Sequence, residues 1–198
     1  MQVRPYFAAE DEAREKALRL CRQVIRHSAS AIRSLHCHDQ DKARQLLDSA
    51  HELIQDMNQD LSSHSALLHS GFVHDAQKEF SEGCITLALI VKEPLPTPEV
   101  LGVDYAAYLN GLGEAVGELR RYLLDSIRRG DFSRCEELLA IMDDVYEVLV
   151  AMDFTEVITR GLRRTTDAIR GIIERTRGDL TVALRQKELE VKLDNLAS

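Results

Sequence analysis

The sequence predicts an all-α protein, a single-domain bundle of seven antiparallel helices, and three observations carry that prediction. Apolar residues recur every three or four positions through nearly the whole chain, the period of one buried helix stripe. No segment of four to eight residues alternates apolar with polar as a half-buried strand would. Three of the four prolines, Pro94, Pro96 and Pro98, crowd into one stretch, so the rest of the chain is almost free of the residue that breaks helices.

Residues 10–35 put Leu18, Cys21, Ile25, Ala29, Ile32 and Leu35 on one stripe and predict the first helix. The second starts near Asp39, a residue type that caps helix N-termini, and continues through Ala43, Leu46, Leu47, Ala50, Leu53, Ile54, Met57 and Leu61. Residues 65–92 read as the third. Its apolar run from Ile85 to Val91, interrupted only by Thr86, falls far short of the roughly 18 residues of a bilayer span and fits a helix segment buried on all sides. The proline-rich stretch at 92–103 forbids a helix and predicts an extended surface loop inside a domain covering residues 1–198. A fourth helix spans 104–129 and stops at Gly130-Asp131, where glycine closes one helix and aspartate caps the next. The fifth covers 132–152. The sixth covers 155–177, with Thr155 as its cap and Ile158, Leu162, Ile169, Ile172, Ile173 and Thr176 facing inward. Gly178-Asp179 then restarts a seventh, polar helix.

Composition narrows the function classes. A chain of 198 residues buries roughly 70% of its unfolded surface without a disulfide or metal staple. Its apolar share of 44% is too high for disorder, and with no Trp, five Tyr and five Phe the core must be aliphatic. The net charge of −8 argues against a histone-like wrapper of nucleic acid, yet leaves room for a local basic face. Cys21, Cys37, Cys84 and Cys135 form no CxxC, which fits a reduced, cytoplasmic protein with free thiols. No basic-then-apolar leader opens the sequence, so neither export nor a membrane anchor is expected.

Two carboxylate pairs stand out: Glu79 and Glu82 on the third helix, Glu114 and Glu118 on the fourth. Spacings of three and four put each pair on one helical face, and helices joined by one loop commonly pack side by side. Four hard oxygen ligands suit Mg²⁺ or Mn²⁺, which activates water and stabilises the charge of a phosphodiester being cut. Solvated glutamates satisfy the same spacing, and 33 acidic residues supply them, so spacing does not decide between the two. The second pair sits in LNGLGEAVGELRR, residues 109–121, where three glycines each cost a helix about 0.5–1 kcal/mol. Gly113 and Gly117 each precede a glutamate and would let a phosphate backbone or a neighbouring helix come close. A di-iron bundle is disfavoured because neither pair includes a His, and in His36-Cys37-His38 alternate residues at a helix end do not share a face.

Arg19, Arg22, Arg26 and Arg33 line the first helix away from its apolar stripe, and residues 14–36 hold six Lys or Arg against one acid. On the sixth helix Arg163, Arg170 and Arg177 repeat every seven residues, with Arg160 and Arg164 nearby. Such stripes neutralise phosphates without reading bases, although a solvated, salt-bridging face has the same pattern. No phosphate-binding glycine loop, nucleophile elbow, HExxH or CxxC is present.

The segment YLNGLGEAVGELRR, residues 108–121, followed by DSIRRGDFS, residues 125–133, resembles the translin family, and most closely its partner translin-associated factor X in a prokaryotic-type form. The GELxR core and the GDxS turn are the specific parts; the basic first helix, acidic third helix and basic sixth helix follow in family order. The resemblance implies a seven-helix bundle, assembly into a hollow homo-oligomer, an octamer in that family, and a Mg²⁺- or Mn²⁺-dependent endoribonuclease site on its inner wall. Single-stranded RNA is then the implied substrate, with single-stranded DNA as an alternative strand. Glu79 and Glu82 match the family's paired glutamates. Glu114 and Glu118 match the acid and glutamate of its DLxGE motif, with Glu114 one methylene longer than the family's Asp. In that reading the four glutamates hold the metal and do the catalysis, while the arginines hold the RNA backbone. The rivals are a translin-like shell that binds without cutting, a helical Mg²⁺-dependent nucleotide pyrophosphohydrolase, whose doubled EExxE is absent because Lys78 precedes Glu79, and a structural helical adaptor.

Overall fold

A computed structural model of the protein describes residues 3–197. They form six long helices and three single turns: α1 (Val3–His36), α2 (Gln40–Asp60), α3 (Ser65–Leu68), α4 (Gly71–Val91), α5 (Pro98–Leu101), α6 (Tyr105–Arg128), α7 (Cys135–Val150), α8 (Glu156–Thr159) and α9 (Leu162–Ala197). There is no strand among the described residues, and the all-α class holds. None of the described helices is long and apolar enough to cross a membrane.

The helix count differs from seven for reasons visible in the side chains. The predicted third helix divides into α3 and α4 at His69 and Ser70. Residues 98–101 are helical despite Pro98, because proline at the first helical position lacks only an N–H that would be unpaired anyway. Thr97 caps that turn by accepting from the Val100 N–H, and Gly102, at φ +67°, closes it. The expected break at Gly178-Asp179 does not occur. Buried Thr176 and Leu180 bracket Gly178 and hold α9 to the bundle, which outweighs the roughly 1 kcal/mol that one glycine costs a helix.

Capping follows the sequence at Asp39 and Gly130, departs from it at Asp131 and Thr155, and adds Asp104. Asp39 accepts from the Lys42 N–H and Asp104 from the Ala106 N–H, starting α2 and α6. Gly130 turns the chain after α6 at φ +77°. Asp131, however, accepts from the N–H and Oγ of Ser133 in a tight turn, and α7 begins only at Cys135. Thr155 precedes α8 but makes no side-chain capping bond, and Ile158 points outward because α8 ends before α9 takes up a new direction.

The core is aliphatic and continuous, from Val24 and Leu35 of α1 through Ile54, Phe80 and Ile85 to Leu119, Leu138 and Met142. α1 packs on α2 and α4, while α6 packs on α4, α7 and α9. α4 thus lies between α1 and α6, as its run from Ile85 to Ile90 requires. All four cysteines are free.

Candidate functional site

The site begins where α4 and α6 touch. A Cβ added to Gly111 would stand 2.7 Å from the Lys78 carbonyl oxygen, 2.8 Å from Ser81 Cβ and 2.9 Å from the Glu82 nitrogen. Only glycine allows that backbone contact. Gly111 lies one turn before Glu114 on the same face, so the close approach sets Glu114 opposite Glu79 and Glu82. Gly113 does the same for α9, since its Cβ would meet Thr165 Cγ2 at 2.4 Å. Gly117 faces open space, with nothing within 4 Å. The helix-approach role expected of Gly113 is therefore real, Gly111 shares it, and Gly117 makes no close contact.

One carboxylate oxygen each from Glu79, Glu82 and Glu114 lies within 4.8 Å of the others. They line a cleft of about 740 Å³ between α4, α6 and α9. Glu82 is only 9% exposed, and burial, reinforced by the charges of Glu114, Glu79 and Glu118, pushes its carboxyl up to about 8. Glu79 is raised by the same causes, burial first and Glu114 next. Lys78 Nζ donates to Glu114 Oε1 at 2.7 Å and supplies one positive charge. Burial opposes the charge on Lys78, but that bond and the neighbouring acids outweigh it and raise its pKa. Three hard oxygen donors held this close together suit a hard divalent cation, whose charge would also favour the ionised form of Glu82.

Glu118 lies one turn past Glu114 and outside this cluster. It accepts a hydrogen bond from His36 Nε2 at 2.5 Å, and the His36 side chain is 5% exposed. Sequence reasoning gave His36 no role. It weighed His36, Cys37 and His38 as a clip, whereas Cys37 is exposed and His38 packs edge-on against Tyr122.

The arginines separate into groups. Arg160 and Arg164 line the acidic cleft. Arg160 has φ +49° and is followed by Gly161 at φ +89°, a left-handed pair that turns the chain from α8 into α9. The turn is held by Asn110, which donates to the Thr159 carbonyl and accepts from Thr165 Oγ1, and by Arg160 itself, which donates to the His69 carbonyl. Asn110 and His74, both on the cleft wall, escaped sequence reasoning. Buried His74 has its pKa lowered by desolvation and then by Arg160. Arg163 faces another cavity, between α7 and α9. Arg19, Arg22, Arg26 and Arg170 are exposed and do not line the acidic cleft, and Arg33 lines a neighbouring groove.

No family model matches the sequence. An uncharacterized protein of Methanocaldococcus jannaschii, MJ0175, is 30% identical over 190 residues, covering 95% of this chain and 84% of its own length. Two solved structures, of AfC3PO and of an AfC3PO–duplex RNA complex, are 33% identical with a TM-score of 0.83, covering 93% of this chain and 96% of theirs. Apo-NeC3PO, at 20% identity and a TM-score of 0.82 over 92% of this chain and 95% of its own, shares the fold. With that identity along almost the full length of both chains, this protein belongs to the translin family of C3PO-type helical proteins.

Proposed function

We propose that this protein is a metal-dependent endoribonuclease of the factor X-like kind, working inside a translin-like homo-oligomer. The observation that carries the reading is the convergence of Glu79, Glu82 and Glu114 in a cleft whose other wall bears Arg160 and Arg164. The likeness to AfC3PO, solved with duplex RNA, supports RNA as the substrate.

Glu79, Glu82 and Glu114 would hold Mg²⁺ or Mn²⁺, with Glu118 adding charge from one turn away. Such an ion supplies a Lewis acid that generates hydroxide from water and stabilises the charge on the phosphodiester. Arg160 and Arg164 neutralise the phosphate beside the acids. A guanidinium group presents a planar fork of donors that matches the oxygens of a phosphate. Gly113 admits α9 so that the acids and arginines face each other across the cleft.

One observation favours the rival of a shell that binds without cutting: Lys78 and His36 already engage Glu114 and Glu118. Incubating labelled RNA with the protein in Mn²⁺ or Mg²⁺, with EDTA, and with Glu114→Ala separates the two readings. The nuclease reading expects internal cuts that vanish in EDTA and in the variant. Binding without cuts supports the shell, and cuts that survive both controls overturn the proposed mechanism.

A further inference from the structure

A second groove, of about 730 Å³, lies between α1 and the C-terminal half of α6, and its lining carries Arg33, Arg120, Arg121 and Arg128 against one acid, Asp125. In a chain of net charge −8, such a concentration of positive charge is local and specific. These arginines are only partly committed to the fold. Arg120 is tied to Thr176 and Asp179. Arg128 meets Asp125 at 3.3 Å with 79% of its side chain exposed. Arg33 donates to Ser30 alone, and exposed Arg121 has no ion pair among the described residues. Gly117 opens the floor, because a Cβ there would meet nothing within 4 Å.

The groove continues the acidic cleft along one helix. Positions 114, 117, 121, 125 and 128 of α6 step by three or four and share a face. At about 1.5 Å per residue, Arg121 lies roughly 10 Å and Arg128 roughly 21 Å along the axis from Glu114. Among the described residues Leu124 is the groove's only aliphatic lining residue, so the groove lacks the buried apolar anchors of a protein interface.

We propose that this groove is a phosphate-binding track for an RNA strand, which holds the backbone to one side of the phosphate that reaches Glu79, Glu82 and Glu114. The inference rests on the RNA-binding part of the proposed function and is independent of whether the strand is cut. It moves the main backbone contact from the outer face of α1 to the C-terminal half of α6, with Arg121 and the loosely paired Arg128 as its exposed charges.

The test is the affinity of the full-length protein for a labelled single-stranded RNA, measured by fluorescence anisotropy in EDTA over a range of salt. Removing two phosphate contacts lowers the slope of log affinity against log salt by about 1.4 for a single strand. Arg121→Ala/Arg128→Ala is expected to weaken binding at least tenfold with that loss of slope, and Arg121→Lys/Arg128→Lys to restore most of it. Removing two exposed arginines elsewhere, Arg44→Ala/Arg185→Ala, controls for net charge and should leave the slope unchanged. Wild-type affinity and slope in the alanine pair, or equal weakening in the control, overturns the track. So does a change of oligomeric state in the alanine pair with RNA binding intact, which would make the groove a protein contact. Groove-dependent binding without cleavage sinks the nuclease reading alone, and cleavage with binding indifferent to the groove sinks the track alone.

Discussion

His36 Nε2 and Glu118 Oε2 stand 2.5 Å apart, joining α1 to α6 across 82 residues of sequence. With the carboxylate as acceptor, Nε2 carries the proton, and the other ring nitrogen, Nδ1, is buried without a partner. A hydrogen bond to a charged group contributes about 1.5–3 kcal/mol. A double-mutant cycle of His36→Ala and Glu118→Gln, read by chemical denaturation, should return a coupling of about 1–3 kcal/mol. Because Glu118 is held outside the three-oxygen cluster, Glu118→Gln should weaken Mn²⁺ binding less than Glu82→Gln in calorimetric titration. The opposite order would place Glu118 at the centre of the metal set.

Lys78 competes with any cation for Glu114. Its ammonium is 2.7 Å from the carboxylate, with the two side chains 22% and 34% exposed. Lys78→Gln takes the charged partner from Glu114, so the metal-free protein should lose roughly 1–3 kcal/mol of stability. The same change removes the resident positive charge, so Mn²⁺ affinity should rise severalfold. Melting curves in EDTA and a Mn²⁺ titration read the two effects separately. Weaker Mn²⁺ binding in the variant would mean that Lys78 supports the metal-holding arrangement.

Gly111 and Gly117 share a helix and predict opposite outcomes. A methyl at position 111 meets backbone atoms of α4 at 2.7 and 2.9 Å, which cannot rotate away. Gly111→Ala should destabilise by about 1–3 kcal/mol, the usual cost of overpacking, and should weaken Mn²⁺ binding by parting Glu114 from Glu79 and Glu82. Gly117→Ala meets nothing, so it should stabilise α6 by about 0.5–1 kcal/mol. Equal effects of the two changes on melting temperature would contradict the packing described for α4 and α6.

Local periodicity made five of the long helices and the first part of α9 legible, and spacing put Glu79 with Glu82, and Glu114 with Glu118, each on one helical face; that α4 packs beside α6 was an expectation about helices joined by one loop. What stayed hidden was tertiary. The glycine and aspartate at 178–179 carry a strong local stop signal, yet buried Thr176 and Leu180 keep α9 continuous. His36 reaches Glu118 only because α1 ends beside the middle of α6, which no spacing within either helix encodes. Gly111, three residues before Glu114, marks the close neighbour, but Gly117, three residues after it, faces open space, so glycine position in the sequence did not by itself single out the contact.

Glu82 gives the metal-free protein a pH dependence of definite sign. Its carboxyl rises from 4.5 to about 8 on folding, through burial first and the charges of Glu114, Glu79 and Glu118 next. The folded state therefore holds a proton that the unfolded state has released. The stability this contributes is complete below about pH 4.5 and is lost as pH climbs to about 8. At roughly 1.4 kcal/mol per unit of pH the loss is at most a few kcal/mol. Glu82→Gln has no such proton, so in EDTA its melting temperature should gain steadily on wild type between pH 5 and pH 8. A divalent cation binds the ionised carboxylate, so the stabilisation by Mn²⁺ in wild type should grow over the same interval and be much smaller in Glu82→Gln. Parallel melting profiles for the two proteins, with and without Mn²⁺, would show that Glu82 is neither protonated at neutral pH nor part of the metal site.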